Sequence, residues 1–402
     1  MKNKKNVCLI LPNTFPVPAI HGGACETLVE TLIKENEKAN KINITCISIY
    51  DEKAYQISKK YKNTKFIYIK NNNSSDDIDL SFNKKDKNLY SYMDEIYDKI
   101  KNEDLDFLVI EGGDLKAYKY LLERFPKEKC IMHMHGIIEG DKEYNEIYKY
   151  YIAVSKYVAN HFLESGDIEK QRVNVLYNGI ELEKFKRKIT SKEKEELKNK
   201  YNIKQNEKVI MFCGRTVIGK GIKELILAFK KMRNINNAKL LIVGNSAFGK
   251  KIETDFDREL IKISEDIKEK IVFTSFIPND ELYKIHNISD IAVVPTIKEE
   301  AFGMVVVEAM ASGLPLVVTK SGGIPEIVNK ETAIIVNKDK HLVENLTKSL
   351  DFLVENDNER INMGTKGAKL ANNFSAQNFY EEFTKIIEKC YQNNEIKTEN
   401  KE

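Results

Sequence analysis

Short apolar runs alternate with amphipathic stretches of helical length along most of the chain, and the alternation repeats in a second half. The apolar runs are predicted to be strands, and the stretches between them show helical periodicity. Strands that alternate with helices predict parallel sheets covered on both faces, here as two Rossmann-like domains. The predicted strands are 6–11, 44–49, 66–69, 107–110, 130–134, 151–154 and 173–176, then 209–213, 239–243, 271–274, 291–294, 315–318 and 333–336, and the clearest predicted helices are 27–36, 222–232, 257–267 and 304–311.

Shifts in composition divide this pattern into domains. Residues 181–205, dense in Lys and Glu, are predicted to be a charged linker in which Ser191 caps an exposed helix. The linker separates an N-terminal domain, residues 1–180, from a C-terminal domain, residues 206–372. A polar stretch at 71–87 is predicted to be a long surface loop of the first domain. Ligands of such sheets bind beyond the carboxyl ends of the strands, so the residues just after strands are the candidates for chemistry.

The composition excludes several classes of protein. The 402 residues carry 64 Lys and Arg against 61 Asp and Glu, a formal charge of +3, and no basic half indicates a nucleic-acid partner. No apolar run approaches the about 18–20 residues of a membrane span, and the first run is too short for a signal peptide. The six cysteines lack the C-x-x-C spacing of a zinc or redox site. The sequence therefore predicts a cytoplasmic protein that binds no nucleic acid.

A glycine-rich loop with two cations follows the first strand of the second half. Residues 214–221, GRTVIGKG, nearly match the phosphate-binding loop G-x-x-x-x-G-K-[ST], but Gly221 stands where a hydroxyl must hold Mg²⁺. The loop therefore favours a diphosphate held without metal, with Arg215 forking onto phosphate oxygens and Lys220 adding a point charge. A solvated charged turn is the alternative.

Two glutamates and a helix N-terminus follow the strand 291–294. Glu300 lies in the loop, and a helix is predicted to begin near Gly303. The first N–H groups of that helix would make an anion site at the edge of the sheet. Glu308 falls in the first turns, where its carboxylate can accept hydrogen bonds from ribose or sugar hydroxyls. An ordinary amphipathic helix with a surface glutamate is the alternative.

A histidine pair closes a strand of the first half. His133 and His135 alternate along the strand and can face the same side. This pair could bind a metal ion, but the sequence shows no third ligand of suitable spacing. Glu111 follows another strand, where it is predicted either to border a ligand cleft or to be part of a structural turn. No D-x-D pair follows an apolar strand, so no metal is expected at any of them: Asp77 and Asp79, Asp104 and Asp106, Asp255 and Asp257.

Together these motifs resemble the signature of the retaining GT-B glycosyltransferases, the glycosyl transferases group 1, which use nucleotide-sugar donors. The resemblance rests on the cationic loop, on Glu300 and Glu308 spaced as E-x7-E, and on the run SGGIPE at 321–326. It extends to the loop with Gly22 and Gly23 and to 151–156 and 174–180, and so covers most of residues 6–330. It implies an α/β protein of the GT-B fold, with two Rossmann-like domains whose parallel sheets face an interdomain cleft.

The resemblance also implies roles for single residues. Arg215 and Lys220 would neutralise the donor diphosphate, Glu308 would bond the ribose, and Glu300 would hold the donor sugar and its phosphate. Further donor contacts are expected from Gly244, from Ile277 near the base, and from the N–H groups of Phe302, Gly303 and Met304.

In the first domain, the resemblance assigns Gly22 and Gly23 to bring a helix N-terminus close to the diphosphate. His135 is expected to contact the transferred sugar, and the alternatives are that His133 makes this contact or that the pair is purely structural. A last helix at about 375–392 is expected to cross back onto this domain.

The hypothesis is a retaining, metal-independent hexosyltransferase of surface polysaccharide or glycoconjugate biosynthesis, without a cofactor. Its substrates would be a nucleotide-sugar donor and a glycan or lipid-linked acceptor, the latter requiring peripheral contact with the inner face of the membrane. Two alternatives remain open. One is a sugar-nucleotide epimerase or hydrolase on the same fold, and the other is a catalytically idle structural protein of a coat or capsule complex.

Overall fold

A computed structural model describes residues 4–70, 87–245 and 254–399 of the chain. The chain forms two compact units, Met1–Gly179 with Ala376–Glu402, and Ile180–Ser375. Most of the stretch predicted as a polar loop, including Asp77 and Asp79, lies outside the described residues.

The first unit is built on a parallel sheet of seven strands in the order β3-β2-β1-β4-β5-β6-β7. β1 pairs with both β2 and β4, so the strand order reverses beside it. The strands are β1 (Asn6–Ile10), β2 (Asn43–Ile49), β3 (Thr64–Ile69), β4 (Phe107–Ile110), β5 (Cys130–Met134), β6 (Tyr150–Ala153) and β7 (Val173–Val175). The helices between them are α1 (Ala24–Ala39), α2 (Glu52–Ser58), α3 (Lys87–Ile100), α4 (Lys119–Leu122), α5 (Lys142–Ile147) and α6 (Lys156–Ser165).

The second unit repeats this plan with a parallel sheet of six strands in the order β10-β9-β8-β11-β12-β13. Its strands are β8 (Lys208–Cys213), β9 (Ala238–Val243), β10 (Ile271–Phe273), β11 (Ile291–Val294), β12 (Leu316–Thr319) and β13 (Ala333–Val336). Its helices are α7 (Leu182–Lys186), α8 (Ser191–Lys200), α9 (Ile222–Lys230), α10 (Asp255–Ser264), α11 (Leu282–Ile288), α12 (Met304–Ala311), α13 (Ile324–Ile327), α14 (Leu342–Glu355) and α15 (Asp357–Leu370). The predicted α/β class with parallel sheets is confirmed.

The central strands are continuous apolar runs because helices cover both faces of each sheet. All four residues of β4 and of β11 are buried. In the second unit α9 and α14 pack on one face of the sheet, where Phe229 and Leu350 are fully buried. The buried strands hold the loops at their carboxyl ends in fixed positions.

The segment predicted as a charged linker, residues 181–205, belongs to the second unit and contains two helices. α7 buries Leu182 and Phe185, whose apolar side chains the surrounding charges obscured in the sequence. None of the residues of α8 is buried, as expected for an exposed helix. Its N-cap is Thr190 and not Ser191, because the Thr190 hydroxyl accepts from the backbone N–H three residues on and completes a capping box.

The last helix, α16 (Ala376–Glu399), is part of the first unit. The Tyr380 hydroxyl on this helix donates to Asn36 Oδ1 of α1 at 2.6 Å. The helix extends seven residues past its predicted end at 392. The Tyr150 hydroxyl donates to Asn394 Oδ1 at 2.7 Å and so fixes this extension, a contact that local sequence does not reveal.

Across the described ranges, no helix combines the length and the hydrophobicity that a membrane-spanning segment requires.

Candidate active site

In the second unit the loops that follow β8 and β11 are tied together at one carbonyl. Gly219 O accepts hydrogen bonds from Ile297 N at 2.8 Å, from Lys298 N at 3.1 Å and from the Thr296 hydroxyl at 3.1 Å. β8 and β11 are neighbours at the point where the strand order of this sheet reverses. This is where open α/β sheets bind their ligands.

Gly221 explains why this loop departs from the nucleoside-triphosphatase pattern. Its φ is +75°, and a Cβ added there would lie 1.9 Å from Pro295 O. A serine or threonine would therefore displace the backbone of the loop after β11. The position that holds a Mg²⁺-binding hydroxyl in other phosphate loops has no room for a side chain here.

The two tied loops bring Lys220 and Glu300 into an ion pair. Lys220 Nζ lies 2.6 Å from Glu300 Oε2, and the side chains are 33% and 23% exposed. Arg215 is exposed in the same loop as Lys220. The predicted site residues Lys220 and Glu300 thus contact each other, and both side chains are partly exposed to solvent.

The loop after β12 packs against the backbone of Glu300. Gly323 N donates to Glu300 O at 2.8 Å, and a Cβ on Gly322 would lie 2.0 Å from the same oxygen. The glycines of the predicted SGGIPE run therefore allow the close approach that fixes the backbone of Glu300.

α12 begins at the same edge of the sheet. Its N-cap, Gly303, has a φ of +99° and provides no side-chain acceptor for the first N–H groups of the helix. Phe302 is buried against Phe374, with ring centroids 5.9 Å apart, and anchors the entry to the helix. Met304 is the first helical residue. The predicted N-terminal anion site therefore has the expected backbone geometry, next to the Lys220–Glu300 pair.

Glu308 lies on α12 with only 5% of its surface exposed. Burial raises the pKa of its carboxyl to about 7, and Lys184 of α7 opposes the shift. The Glu308 charge in turn adds to the burial that raises the pKa of the Cys213 thiol at the end of β8. A carboxyl that titrates near neutrality can either donate to or accept from a diol.

The two remaining predicted donor contacts lie in loops after β9 and β10. Gly244, with a φ of +125°, approaches Gly214 so closely that an added Cβ would lie 2.1 Å from Gly214 O. Gly244 therefore packs against the start of the cationic loop. Ile277 is half-buried beyond β10 and follows Phe276, which is exposed.

In the first unit Glu111 joins the predicted histidine pair. Its Oε2 atom lies 2.8 Å from His133 Nδ1 and 2.8 Å from His135 Nε2. Burial, the largest influence, raises the pKa of Glu111, but the two histidines outweigh it and lower that pKa to about 2. Burial, and next the neighbouring His133, lower the pKa of His135.

The expectation that the histidine pair lacks a third ligand is wrong. The ligand atoms of Glu111, His133 and His135 all lie within 4.8 Å of one another, a set that can hold a metal ion. The order of the strands explains why Glu111 lies beside the histidines, because Glu111 directly follows β4 and β4 pairs with β5. The carboxyl ends of neighbouring parallel strands lie at the same edge of the sheet.

The glycine loop of the first unit precedes α1 as predicted, but a glutamate occupies its helix N-terminus. Gly22 and Gly23 have φ values of +80° and +98°, and Gly23 is the N-cap. A Cβ on Gly23 would lie 2.1 Å from Glu26 Oε2. Burial raises the pKa of Glu26 to about 7. A buried carboxyl, which the sequence did not reveal, therefore lies beside Gly23 at this helix N-terminus, and the expected diphosphate contact of Gly22 and Gly23 stays a prediction.

Comparison with protein families matches part of the second unit. Residues 193–370 match the family model described as Glycosyl transferases group 1. The matched range lies within the second unit and contains the cationic loop, Glu300 and Glu308.

Several curated relatives carry glycosyltransferase names. The lipopolysaccharide 1,2-N-acetylglucosaminetransferase of Salmonella typhimurium is 29% identical over 56% of this chain and 57% of its own length. An uncharacterized glycosyltransferase of Methanocaldococcus jannaschii is 34% identical over 42% of this chain and 41% of its own length. The capsular polysaccharide biosynthesis glycosyltransferase CapM of Staphylococcus aureus is 30% identical over 58% of this chain and 59% of its own length. The chain spans about half the length of these relatives.

Solved structures resemble nearly the whole length of the chain. A glycosyltransferase from Rickettsia africae superposes with a TM-score of 0.78 at 20% identity, over 97% of this chain and 100% of that one. Anabaena HepE, solved in complex with UDP and glucose, has a TM-score of 0.74 at 16% identity, over 95% of this chain and 99% of that one. At such identities the likeness shows the fold alone. The chain has the GT-B fold of these proteins, and residues 193–370 of its second unit are similar to the glycosyl transferases group 1 family.

Proposed function

We propose that this protein transfers a sugar from a nucleoside-diphosphate donor to an acceptor hydroxyl, with retention of anomeric configuration and without a metal ion. The observation that carries the proposal is the Lys220–Glu300 ion pair, with 2.6 Å between Nζ and Oε2, beside the N-terminus of α12. A cation and a hydroxyl acceptor fixed side by side suit a ligand that carries both phosphate and sugar.

The departing diphosphate carries the charge that develops in the transition state. Arg215 and Lys220 provide positive side chains in one short loop, and the uncapped N-terminus of α12 adds partial positive charge at the same edge. Charge that is already in position before the reaction is usually the largest single contribution to catalysis.

Donor binding would exchange the partner of Lys220. A phosphate oxygen would compete with Glu300 Oε2 for the ammonium group, and the released carboxylate would accept hydrogen bonds from sugar hydroxyls. In this proposal the ion pair keeps both groups ordered until the donor replaces it.

The relatives guide the choice of donor and product. Anabaena HepE was solved with UDP and glucose, and two relatives are named for lipopolysaccharide and capsular polysaccharide synthesis. We therefore favour a UDP-hexose as donor and a surface glycan, or its lipid-linked precursor, as acceptor. Retention is proposed from the resemblance to E-x7-E enzymes.

A donor screen tests the proposal. Melting temperatures are measured with UDP-, GDP-, ADP- and dTDP-sugars, and each stabilising donor is then assayed for transfer to glycan acceptors by mass spectrometry. Lys220→Ala is expected to lose both stabilisation and transfer, whereas Lys348→Ala, which removes an exposed lysine of α14, retains both. Donor hydrolysis or epimerisation without acceptor would favour the alternative enzyme, and absence of all donor binding would favour a structural protein.

A further inference from the structure

Glu299, which precedes Glu300 in the loop after β11, contacts the loops that follow the next two strands of the second sheet. Its Oε2 atom accepts a hydrogen bond at 2.5 Å from Gly322 N, in the loop after β12. Its Oε1 atom forms an ion pair with Nζ of Lys338, which follows β13. β11, β12 and β13 are neighbours in the sheet. One carboxylate therefore joins the loops at the carboxyl ends of three adjacent strands.

Ser321 joins the same three loops by a second route. It is fully buried, and its hydroxyl donates to Lys298 O, in the loop after β11, at 2.8 Å. Lys338 Nζ in turn donates to Ser321 Oγ at 3.3 Å. The Lys338 side chain is only 16% exposed, so its ion pair with Glu299 is partly shielded from water. These contacts form a network, unlike the isolated surface ion pairs that contribute little to stability.

The surroundings of Glu299 favour its charged form. Burial raises the pKa of its carboxyl, but Lys338 and the Gly322 N–H outweigh burial and hold that pKa below its usual value. An ionised carboxylate only accepts hydrogen bonds, which matches the ammonium and N–H groups that it contacts. Hydrogen bonds to a charged group are stronger than those between neutral groups. Glu299 is therefore an anion whose two oxygens are both held by groups of the protein.

The adjacent Glu300 has different partners. Its Oε2 atom pairs with Lys220, and its backbone oxygen accepts from Gly323 N at 2.8 Å. Gly322 N and Gly323 N are consecutive donors. The first bonds the side chain of Glu299, and the second bonds the backbone of Glu300. Loss of the Glu299 carboxylate would therefore loosen the glycine pair that holds the Glu300 backbone, without removing a contact of Lys220.

We propose that Glu299 is a positioning residue that holds Glu300 in place by fixing the loops after β12 and β13. A direct contact of Glu299 with a ligand is disfavoured, because both of its oxygens are occupied by protein groups. The consequence for a sugar held by Glu300 rests on the proposed function. The ordering of the three loops rests on the contacts of Glu299 alone.

Hydrogen exchange followed by mass spectrometry tests the ordering without any donor. In Glu299→Ala the peptides that contain Gly322 and Gly323 are expected to exchange on the order of 10–100-fold faster, the range for one hydrogen bond to a charged group. Peptides of β8 should exchange as in wild type. Glu331→Ala, which removes the exposed ion pair with Lys366 in the same unit, is the matched control and should leave the glycine peptides unchanged. Unchanged exchange of these peptides in folded Glu299→Ala would overturn the proposal.

UDP and UDP-glucose separate positioning from a general loss of structure. Calorimetry should give the same affinity for UDP in Glu299→Ala as in wild type, because Arg215 and Lys220 are untouched. Turnover of UDP-glucose is expected to fall on the order of 10–100-fold, because Glu300 no longer holds the sugar. Equal losses of UDP affinity and turnover would indicate a merely structural role and refute the proposal. If wild type binds neither compound, the proposed UDP-hexose donor fails, while hydrogen exchange still decides the role of Glu299.

Variants of Lys338 test whether the ion pair acts through Glu299. Lys338→Met should lower turnover less than Glu299→Ala does, because Gly322 N keeps its acceptor, and Lys338→Arg should restore the wild-type rate. In the double variant Lys338→Met should add no further loss, since residues of one network are not additive. A full additional loss would contradict this role of Lys338. Glu299→Gln retains an acceptor for Gly322 N, so it serves as the second variant should Glu299→Ala fail to fold, and its turnover is expected to lie between those of Glu299→Ala and wild type.

Discussion

Glu308 makes the stability of the folded protein depend on pH, and Glu308→Gln isolates that dependence. The carboxyl is buried on α12, and burial raises its pKa from 4.5 to about 7. Between these two values the folded protein retains a proton that the unfolded chain releases. The contribution of Glu308 to stability is therefore complete below about pH 4.5 and is lost as the pH rises through about 7.

The size of the effect follows from the difference between the two pKa values. A difference of about 2.5 units at about 1.4 kcal/mol per unit gives about 3 kcal/mol as the destabilisation at high pH. A glutamine has nearly the same shape and cannot ionise. We expect Glu308→Gln to exceed the wild type in free energy of unfolding by roughly 1–3 kcal/mol at about pH 8, and to show little gain at about pH 5.

Urea denaturation of both proteins across this pH range measures the difference. Glu359→Gln, an exposed glutamate of α15, is the matched control and should show no trend. A stability difference between Glu308→Gln and wild type that stays constant from about pH 5 to about pH 8 would refute the reasoning, because a non-titrating cause acts equally at every pH.

The other predictions concern catalysis. Transfer in excess chelator is expected to stay within a few-fold of the untreated rate, and loss of activity that Mn²⁺ or Mg²⁺ restores would contradict the metal-free site. His135→Ala should lower turnover much more than donor affinity, with a milder effect of His133→Ala, and the reverse ranking at equal melting temperatures would show that the wrong histidine was chosen. Arg215→Ala and Lys220→Ala should each lower turnover on the order of 10–100-fold, since each removes a hydrogen bond to a charged phosphate. Glu308→Gln should mainly raise donor KM, because a ribose contact changes little between ground state and transition state. Steady-state kinetics distinguish these cases, and full turnover in the Arg215 and Lys220 variants would remove the diphosphate from this loop.

Much of the fold follows from local pattern because the sheets are parallel and buried. The predicted strand 291–294 coincides with β11, and the predicted helix 304–311 coincides with α12. Continuous apolar runs identify such strands without knowledge of their partners. Residues 181–205 show the opposite case, since the two buried apolar residues of α7 are hidden among many charges.

The sequence predicted the site residues that lie together within one loop. It did not predict the contacts between residues that are distant in sequence and that the fold brings together. The cationic loop is visible as a run of residues, whereas the contact between Glu111 and His133 joins residues 22 positions apart. The carboxyl of Glu26 was missed because its position over Gly23 depends on the backbone of the loop. The order of strands in the sheet, rather than the spacing of residues in the sequence, indicates that Glu111 and His133 are in contact.

The placement of α16 in the first unit affects how the protein can be made. Asn36 of α1 is fully buried and accepts a hydrogen bond from Tyr380, so this face of α1 lacks its cover until α16 has left the ribosome. The second unit, Ile180–Ser375, is one contiguous stretch of the chain. Domains usually complete in the order of their synthesis. Here a segment that is translated before the second unit must wait for a segment translated after it, and a chain truncated after Ser375 would contain all of the second unit but lack the helix that covers this face of α1.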